Sequence, residues 1–144
     1  MRNILNEEQL LWVDKVWEKL DKKLSVVTVR SRDKFPYWTK NSTHNDAKTD
    51  RGINCWVNGF WPGINWLMYI GTKNEEYRKT AENCERLLDD AFKNFDSISH
   101  DVGFIWQLAS GADYAVTGSE QSRIRLSYAA SYLMSRLNPV GGFI

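Results

Sequence analysis

The chain has 144 residues, 42% hydrophobic and 26% charged, which is the size and composition of one globular domain rather than of a disordered segment. Nineteen basic against 18 acidic side chains leave a formal charge of +1, so no net field gathers nucleic acid or an anionic membrane surface. No stretch approaches the roughly 20 apolar residues of a membrane span, and Met1-Arg2-Asn3-Ile4-Leu5-Asn6-Glu7-Glu8 lacks the apolar centre of a signal peptide.

A soluble, cytoplasmic protein is therefore expected, or a periplasmic one if a leader has been removed. Cys55 and Cys84 stand alone without CxxC spacing, which points to free buried thiols. Asn6 can cap a helix with Gln9 three places on, and Leu10, Val13, Trp17, Leu20 and Leu24 then fall at steps of three and four. Residues 31–55 have no sustained period and are rich in Asp, Asn, Ser, Thr and Lys, so they read as a long loop. His44-Asn45-Asp46 with Asp50 match no ligand spacing, and no metal site is expected there.

From about Asn58 to Ile70 the pattern predicts a helix apolar on nearly every side, hence buried, with Pro62 tolerable in its first turn and Gly71 at its end. Asn74 caps the next helix, which opens with Glu75 and Glu76. That helix carries Tyr77, Ala81, Cys84 and Leu88 as its apolar stripe, against Lys79, Glu82, Glu85 and Asp89 on a solvated face. Ser99 is expected to cap a mostly apolar helix through Ala115. Ser119 should cap a last one to about Leu137, with Arg123, Arg125, Ser127 and Arg136 on its polar face and Asn138-Pro139 stopping it.

The two helix pairs repeat at an offset of 45: Trp61 with Trp106, Tyr69 with Tyr114, Thr72 with Thr117, Glu75 with Glu120, Arg78 with Arg123, Leu88 with Leu133. Repeats of this length build helical arrays or closed rings, because one hairpin cannot cover its own apolar face. An all-α single domain over residues 1–144 is the expectation. With two hairpins and a leading helix it reads as incomplete, and self-association is expected to cover exposed inner helices.

Two runs suggest chemistry. Trp56-Val57-Asn58-Gly59-Phe60-Trp61-Pro62-Gly63 brings flat rings to the mouth of a helix, and such rings are what sugars stack on. Ser99-His100-Asp101-Val102-Gly103-Phe104 adds a carboxylate. Each has a plainer reading. Trp61, Trp66 and Trp106 recur with the hairpins and default to core packing. An Asp in the first turn of a helix is most often a dipole partner, and a lone His a surface residue.

The Trp56 to Leu67 run, the Glu75-Glu76-Tyr77-Arg78 start, His100-Asp101-Val102-Gly103-Phe104 and the Asn138-Pro139 to Gly141-Gly142-Phe143-Ile144 ending resemble, in order and spacing, the N-terminal part of the unsaturated glucuronyl hydrolases, glycoside hydrolase family 88. The resemblance implies the hairpins of an (α/α)6 barrel. It also implies a cofactor-free hydrolase acting on glycosaminoglycan-like oligosaccharides left by polysaccharide lyases. Hydration of the vinyl ether of the terminal 4,5-unsaturated uronic acid gives a hemiketal that collapses and releases the sugar.

On the matching positions, Asp101 takes the place of the family's first active-site aspartate, His100 that of a ring at the pocket, and Trp56 that of an aromatic wall for the uronate, with Val57 where Thr is usual. The second aspartate, the family's proton donor, would lie beyond Ile144. Placed early in a helix, Asp101 should be ionised and suited to orient and stabilise rather than to protonate, and this chain alone is expected to lack turnover. The alternatives are an unsaturated rhamnogalacturonyl hydrolase, a sugar-binding protein without catalysis, and a peptide-binding helical repeat, whose usual period of 34 fits poorly.

Overall fold

The computed structural model describes residues 5–144; Met1-Arg2-Asn3-Ile4, part of the opening read for a leader, lie outside them. Helix α1 spans Glu7–Arg30. Its capping box forms as read: Asn6 Oδ1 accepts from the Gln9 amide at 2.9 Å and Gln9 Oε1 accepts from the Asn6 amide at 3.0 Å. The apolar stripe behaves differently, because Leu10, Val13, Trp17 and Leu20 stay exposed and only the last turns are covered. There Thr28 Oγ donates to Asn65 Oδ1 at 2.8 Å, and the Trp61 indole N–H reaches the Ser31 carbonyl.

Residues 31–55, expected as loop, hold a small ordered substructure. Strands β1 (Thr39–Lys40) and β2 (Thr43–His44) pair antiparallel around Asn41 and Ser42, both at positive φ, the turn geometry that matches strand twist. Helix α2, Ala47–Arg51, follows with Asp46 as its cap. The polar residues that suggested a loop do the tying. Asp46 Oδ1 accepts from the Phe35 and Lys48 amides, and Asn45 Oδ1 accepts from those of Tyr37 and Trp38.

A 3₁₀ turn at Trp56–Gly59 leads into α3, Phe60–Thr72, which packs antiparallel on α4, Glu75–Leu88. Gly71 does not end α3; Lys73 does, in the left-handed conformation at φ 59°. Gly71 is needed for closeness instead, since a Cβ there would meet the Trp17 ring of α1. Further 3₁₀ turns at Asp89–Lys93 and Phe95–Ser97 lead to α5, Val102–Trp106, α6, Ser110–Thr117, and α7, Glu120–Ser135. The helix expected from Ser99 to Ala115 is therefore two pieces. No proline stands at the break, and Ser110 turns its hydroxyl into the core toward Glu85. Helix α7 also stops two residues before the expected end.

The repeat survives in atomic detail. Thr72 Oγ donates to the carbonyl four residues back and accepts from the Asn74 amide, and Thr117 repeats this with the Ser119 amide. The left-handed Lys73 (φ 59°) has its counterpart in Gly118 (φ 74°), and the caps Asn74 and Ser119 stand at the same offset. Trp66 and Trp106 are wholly buried, Trp106 stacked on Phe92 with ring centres 4.3 Å apart. The helix read as buried all round is not: α3 buries Trp61, Pro62, Asn65, Trp66 and Met68 but bares Phe60, Ile64, Leu67 and Ile70. Both cysteines are free; Cys84 lies fully buried beneath the Arg32 carbonyl, 3.9 Å away, while Cys55 is half-buried. Among the described residues no helix is long and apolar enough to cross a membrane.

Candidate active site

Gly59 decides where the two chemical runs meet. A Cβ on it would sit 2.5 Å from the Ile105 Cα and 2.6 Å from the Ile105 carbonyl oxygen, so only glycine lets the Trp56–Gly59 turn lie directly against α5. Asn58, fully buried, holds the other side by donating to the carbonyls of Gly52 and Ile53 at 3.1 and 2.9 Å.

This approach sets three half-exposed rings together. Trp56 meets Phe60 edge-on and Phe104 at a tilt, each with centres 5.7 Å apart, and Phe60 stacks on Phe104 at 6.3 Å. A groove of about 350 Å³ runs from Phe60 between α3 and the α5–α6 segment, floored by Gly63, Ile64, Leu67 and Leu108. Phe60 thus belongs to the aromatic cluster, while Trp61 and Trp66 turn away into the core, as expected of them.

Asp101 stands at the start of α5, two places earlier in the helix than a Ser99 cap would put it. It occupies the cap position itself, without a side-chain cap bond. Ser99, expected as the cap, spends its hydroxyl on the Asp101 amide at 3.2 Å, a local turn of the kind serine favours over helix. Helix α5 has only five residues, so its dipole is correspondingly short. The carboxylate is about 30% exposed, with His100 Nε2 3.6 Å from one oxygen and Ser99 Oγ 3.5 Å from the other. His100 itself is 76% exposed. Asp101 and His100 are therefore adjacent, and Trp56 joins them through Phe104, whose amide donates to the Asp101 carbonyl at 2.8 Å.

A second polar cluster lies in the core and was misread from the sequence. Glu85 and Arg125, both assigned to solvated faces, are buried. Glu85 accepts from the Trp66 indole N–H, Ser110 Oγ and Ser122 Oγ, each at 2.9 Å. Arg125 grips Asp89 bidentately at 2.6 and 2.7 Å and lies 3.4 Å from Glu85. Ser122 Oγ is also 2.5 Å from Asp113 Oδ2. Burial, and next the neighbouring Asp113 charge, push the Glu85 carboxyl up to about 7 against the hydrogen bonds that favour its charge. The signal was available: Ala81, Cys84, Glu85 and Leu88 share one helical face, as do Ser122, Arg125, Ala129 and Tyr132. In the loop, Asp46 and Asp50 serve structure, Asp46 as the α2 cap and Asp50 as acceptor from Asn45 and Trp38.

No family model matches the sequence. Among known proteins, the chain is 38% identical over 120 residues to the unsaturated glucuronyl hydrolase of Bacillus sp. strain GL1, covering 78% of this chain and 29% of that protein. It is 33% identical over 90 residues to the unsaturated chondroitin disaccharide hydrolase of Streptococcus pneumoniae, covering 62% and 23%. The fold matches the crystal structure of the Bacillus sp. GL1 unsaturated glucuronyl hydrolase, responsible for the degradation of glycosaminoglycan, with a TM-score of 0.63 and 30% identity over 84% of this chain and 33% of that one. The chain thus spans a third or less of the length of these relatives. In sequence and in fold, it matches the N-terminal portion of the unsaturated glucuronyl hydrolases and carries the helical hairpins of their (α/α)6 barrel.

Proposed function

We propose that this chain provides the uronate-binding part of a glycoside hydrolase that removes the terminal 4,5-unsaturated uronic acid from lyase-generated oligosaccharides. One observation carries the reading: Trp56, Phe60 and Phe104 form an open ring cluster, and the Phe104 amide donates to the backbone carbonyl of Asp101 one helical turn back on the same segment. Apolar faces beside a single fixed acceptor suit a pyranose, whose C–H face stacks while its hydroxyls donate. Similarity to hydrolases named for unsaturated glucuronyl and chondroitin disaccharide substrates supports the same class.

In this reading the uronate lies on Trp56, and Asp101 accepts hydrogen bonds from its hydroxyls and counters the positive charge that develops as the double bond is protonated. A second acid delivers the proton to C4, water adds at C5, and the hemiketal opens to free the remaining sugar. His100, beside Asp101 and open to solvent, is placed to hold the carboxylate or the substrate carboxyl.

In an enzyme carrying this portion, Asp101→Asn is expected to lower turnover of an unsaturated chondroitin disaccharide by at least about a hundredfold, followed by the ultraviolet absorbance of the double bond. Near-normal loss of absorbance would refute the role. The 144-residue chain alone is expected to bind the disaccharide without consuming it, and turnover by it would overturn the need for a second acid.

A further inference from the structure

Trp38 is more than half exposed, yet it is fixed like a core residue. Its amide donates to Asn45 Oδ1 at 2.7 Å, its carbonyl accepts from the Asn45 amide at 3.0 Å, and its indole N–H donates to Asp50 Oδ2 at 3.3 Å. Asn45 Nδ2 holds the same Asp50 oxygen at 2.6 Å. An aromatic ring left in water gains nothing from folding by its exposed face; the two backbone contacts to Asn45 extend the β1–β2 pairing, and the bond from the indole N–H to Asp50 is the one that orients the ring.

Its surroundings are chemically specific. Tyr37, half exposed, carries the Arg51 guanidinium 5.4 Å above its ring, and Tyr37, Trp38, Asp50 and Arg51 line an open cleft of about 640 Å³. Two flat rings, one carboxylate and one guanidinium match a saccharide that bears an anionic group: rings for the pyranose face, Asp50 for hydroxyls, Arg51 for a carboxylate or sulfate. The cleft is anchored to the candidate active site, since Asn58 of the Trp56–Gly59 turn binds the carbonyls of Gly52 and Ile53 directly after Arg51.

We propose that Tyr37, Trp38, Asp50 and Arg51 form a second saccharide platform, which takes an acidic sugar unit of the oligosaccharide beyond the one at Trp56. The proposal deepens the reading of the Trp56–Asp101 end as a sugar site, but its evidence is its own. On this proposal a unit beyond the first disaccharide occupies the platform, and a neutral one would lose the Arg51 contact.

The test is titration of the full chain with an unsaturated chondroitin disaccharide and tetrasaccharide, monitored by the indole N–H resonances in amide correlation spectra. Trp38→Ala is expected to weaken tetrasaccharide binding roughly tenfold, about the weight of one stacked ring, and to leave disaccharide binding unchanged. Arg51→Ala is expected to weaken the acidic tetrasaccharide while sparing a neutral oligosaccharide of equal length, and Trp38→Tyr should keep most of the affinity. Wild-type binding of the tetrasaccharide by a Trp38→Ala protein overturns the platform, and if Trp56→Ala weakens both ligands the active-site reading survives alone. If Trp38→Ala weakens the tetrasaccharide but Trp56→Ala changes nothing, the platform stands and the Trp56 reading falls. A wild-type chain that binds neither saccharide refutes both.

Discussion

Ser122 has one hydroxyl proton and faces two carboxylates, Glu85 at 2.9 Å and Asp113 at 2.5 Å. It can donate to only one of them at a time, so the two carboxylates share a single hydroxyl proton. Arg125 grips Asp89 with two of its nitrogens and reaches Glu85 with the third only at 3.4 Å, so a charged Glu85 faces Asp113 across Ser122 with one long ion pair in its favour. Because the folded state holds the Glu85 proton more tightly than the unfolded chain does, this group's contribution is complete below the ordinary value of 4.5 and is lost as the pH climbs through about 7. That contribution is on the order of 3 kcal/mol. Glu85→Gln, which mimics the protonated acid, is expected to flatten the dependence of the urea midpoint on pH and to exceed the wild type at about pH 8. A wild type more stable at high pH would contradict it.

Two aspartates illustrate how context separates similar residues. Asp46 accepts two backbone amides, and Asp46→Ala should cost about 1–2 kcal/mol in denaturant unfolding. Asp101 makes no side-chain cap bond, and Asp101→Ala should stay within about 0.5 kcal/mol of the wild type. In the sequence Asp101 was read in a first turn and Asp46 in a loop; the structure makes both caps, and only Asp46 bonds as one.

At the scale of elements, three of the four expected caps formed, Ser99 being the exception, and interruptions were not legible. Asn6, Asn74 and Ser119 cap as their spacing indicated, because capping is a contact over two or three residues. The β1–β2 hairpin escaped notice because its turn is Asn41-Ser42 rather than the stronger Asn-Gly signal, and its strands are too short to show a period. The break between α5 and α6 has no local marker, since each half answers to a different distant partner, the Gly59 backbone for one and Glu85 for the other. The Gly59 contact is the most demanding of these joints. Gly59→Ala is expected to cost about 3 kcal/mol, because backbone on both sides cannot yield, and to separate Trp56 from Phe104. A urea midpoint equal to the wild type's would show that the 3₁₀ turn can move.

For the molecule as a whole, the aromatic run was legible as important but not in how its rings divide. Burial of Phe60, Ile64 and Leu67 depends on what lies across the groove, and among the described residues nothing covers them. The chain is expected to self-associate through this face and the bare stripe of α1; sedimentation should show mass rising with concentration, reduced by Leu67→Glu. A monomer at all concentrations would contradict it.

The two cysteines turn this architecture into its own clock. The half-buried Cys55 is expected to react with a thiol reagent in the native protein. Cys84, fully covered and with its thiol pushed well above the ordinary range by burial, can react only in moments when the segment carrying the Arg32 carbonyl lifts from α4. The slower of the two labelling rates therefore times the opening of the joint between the leading helix and the first hairpin. Its response to denaturant distinguishes a local opening from unfolding of the whole chain, without any added probe.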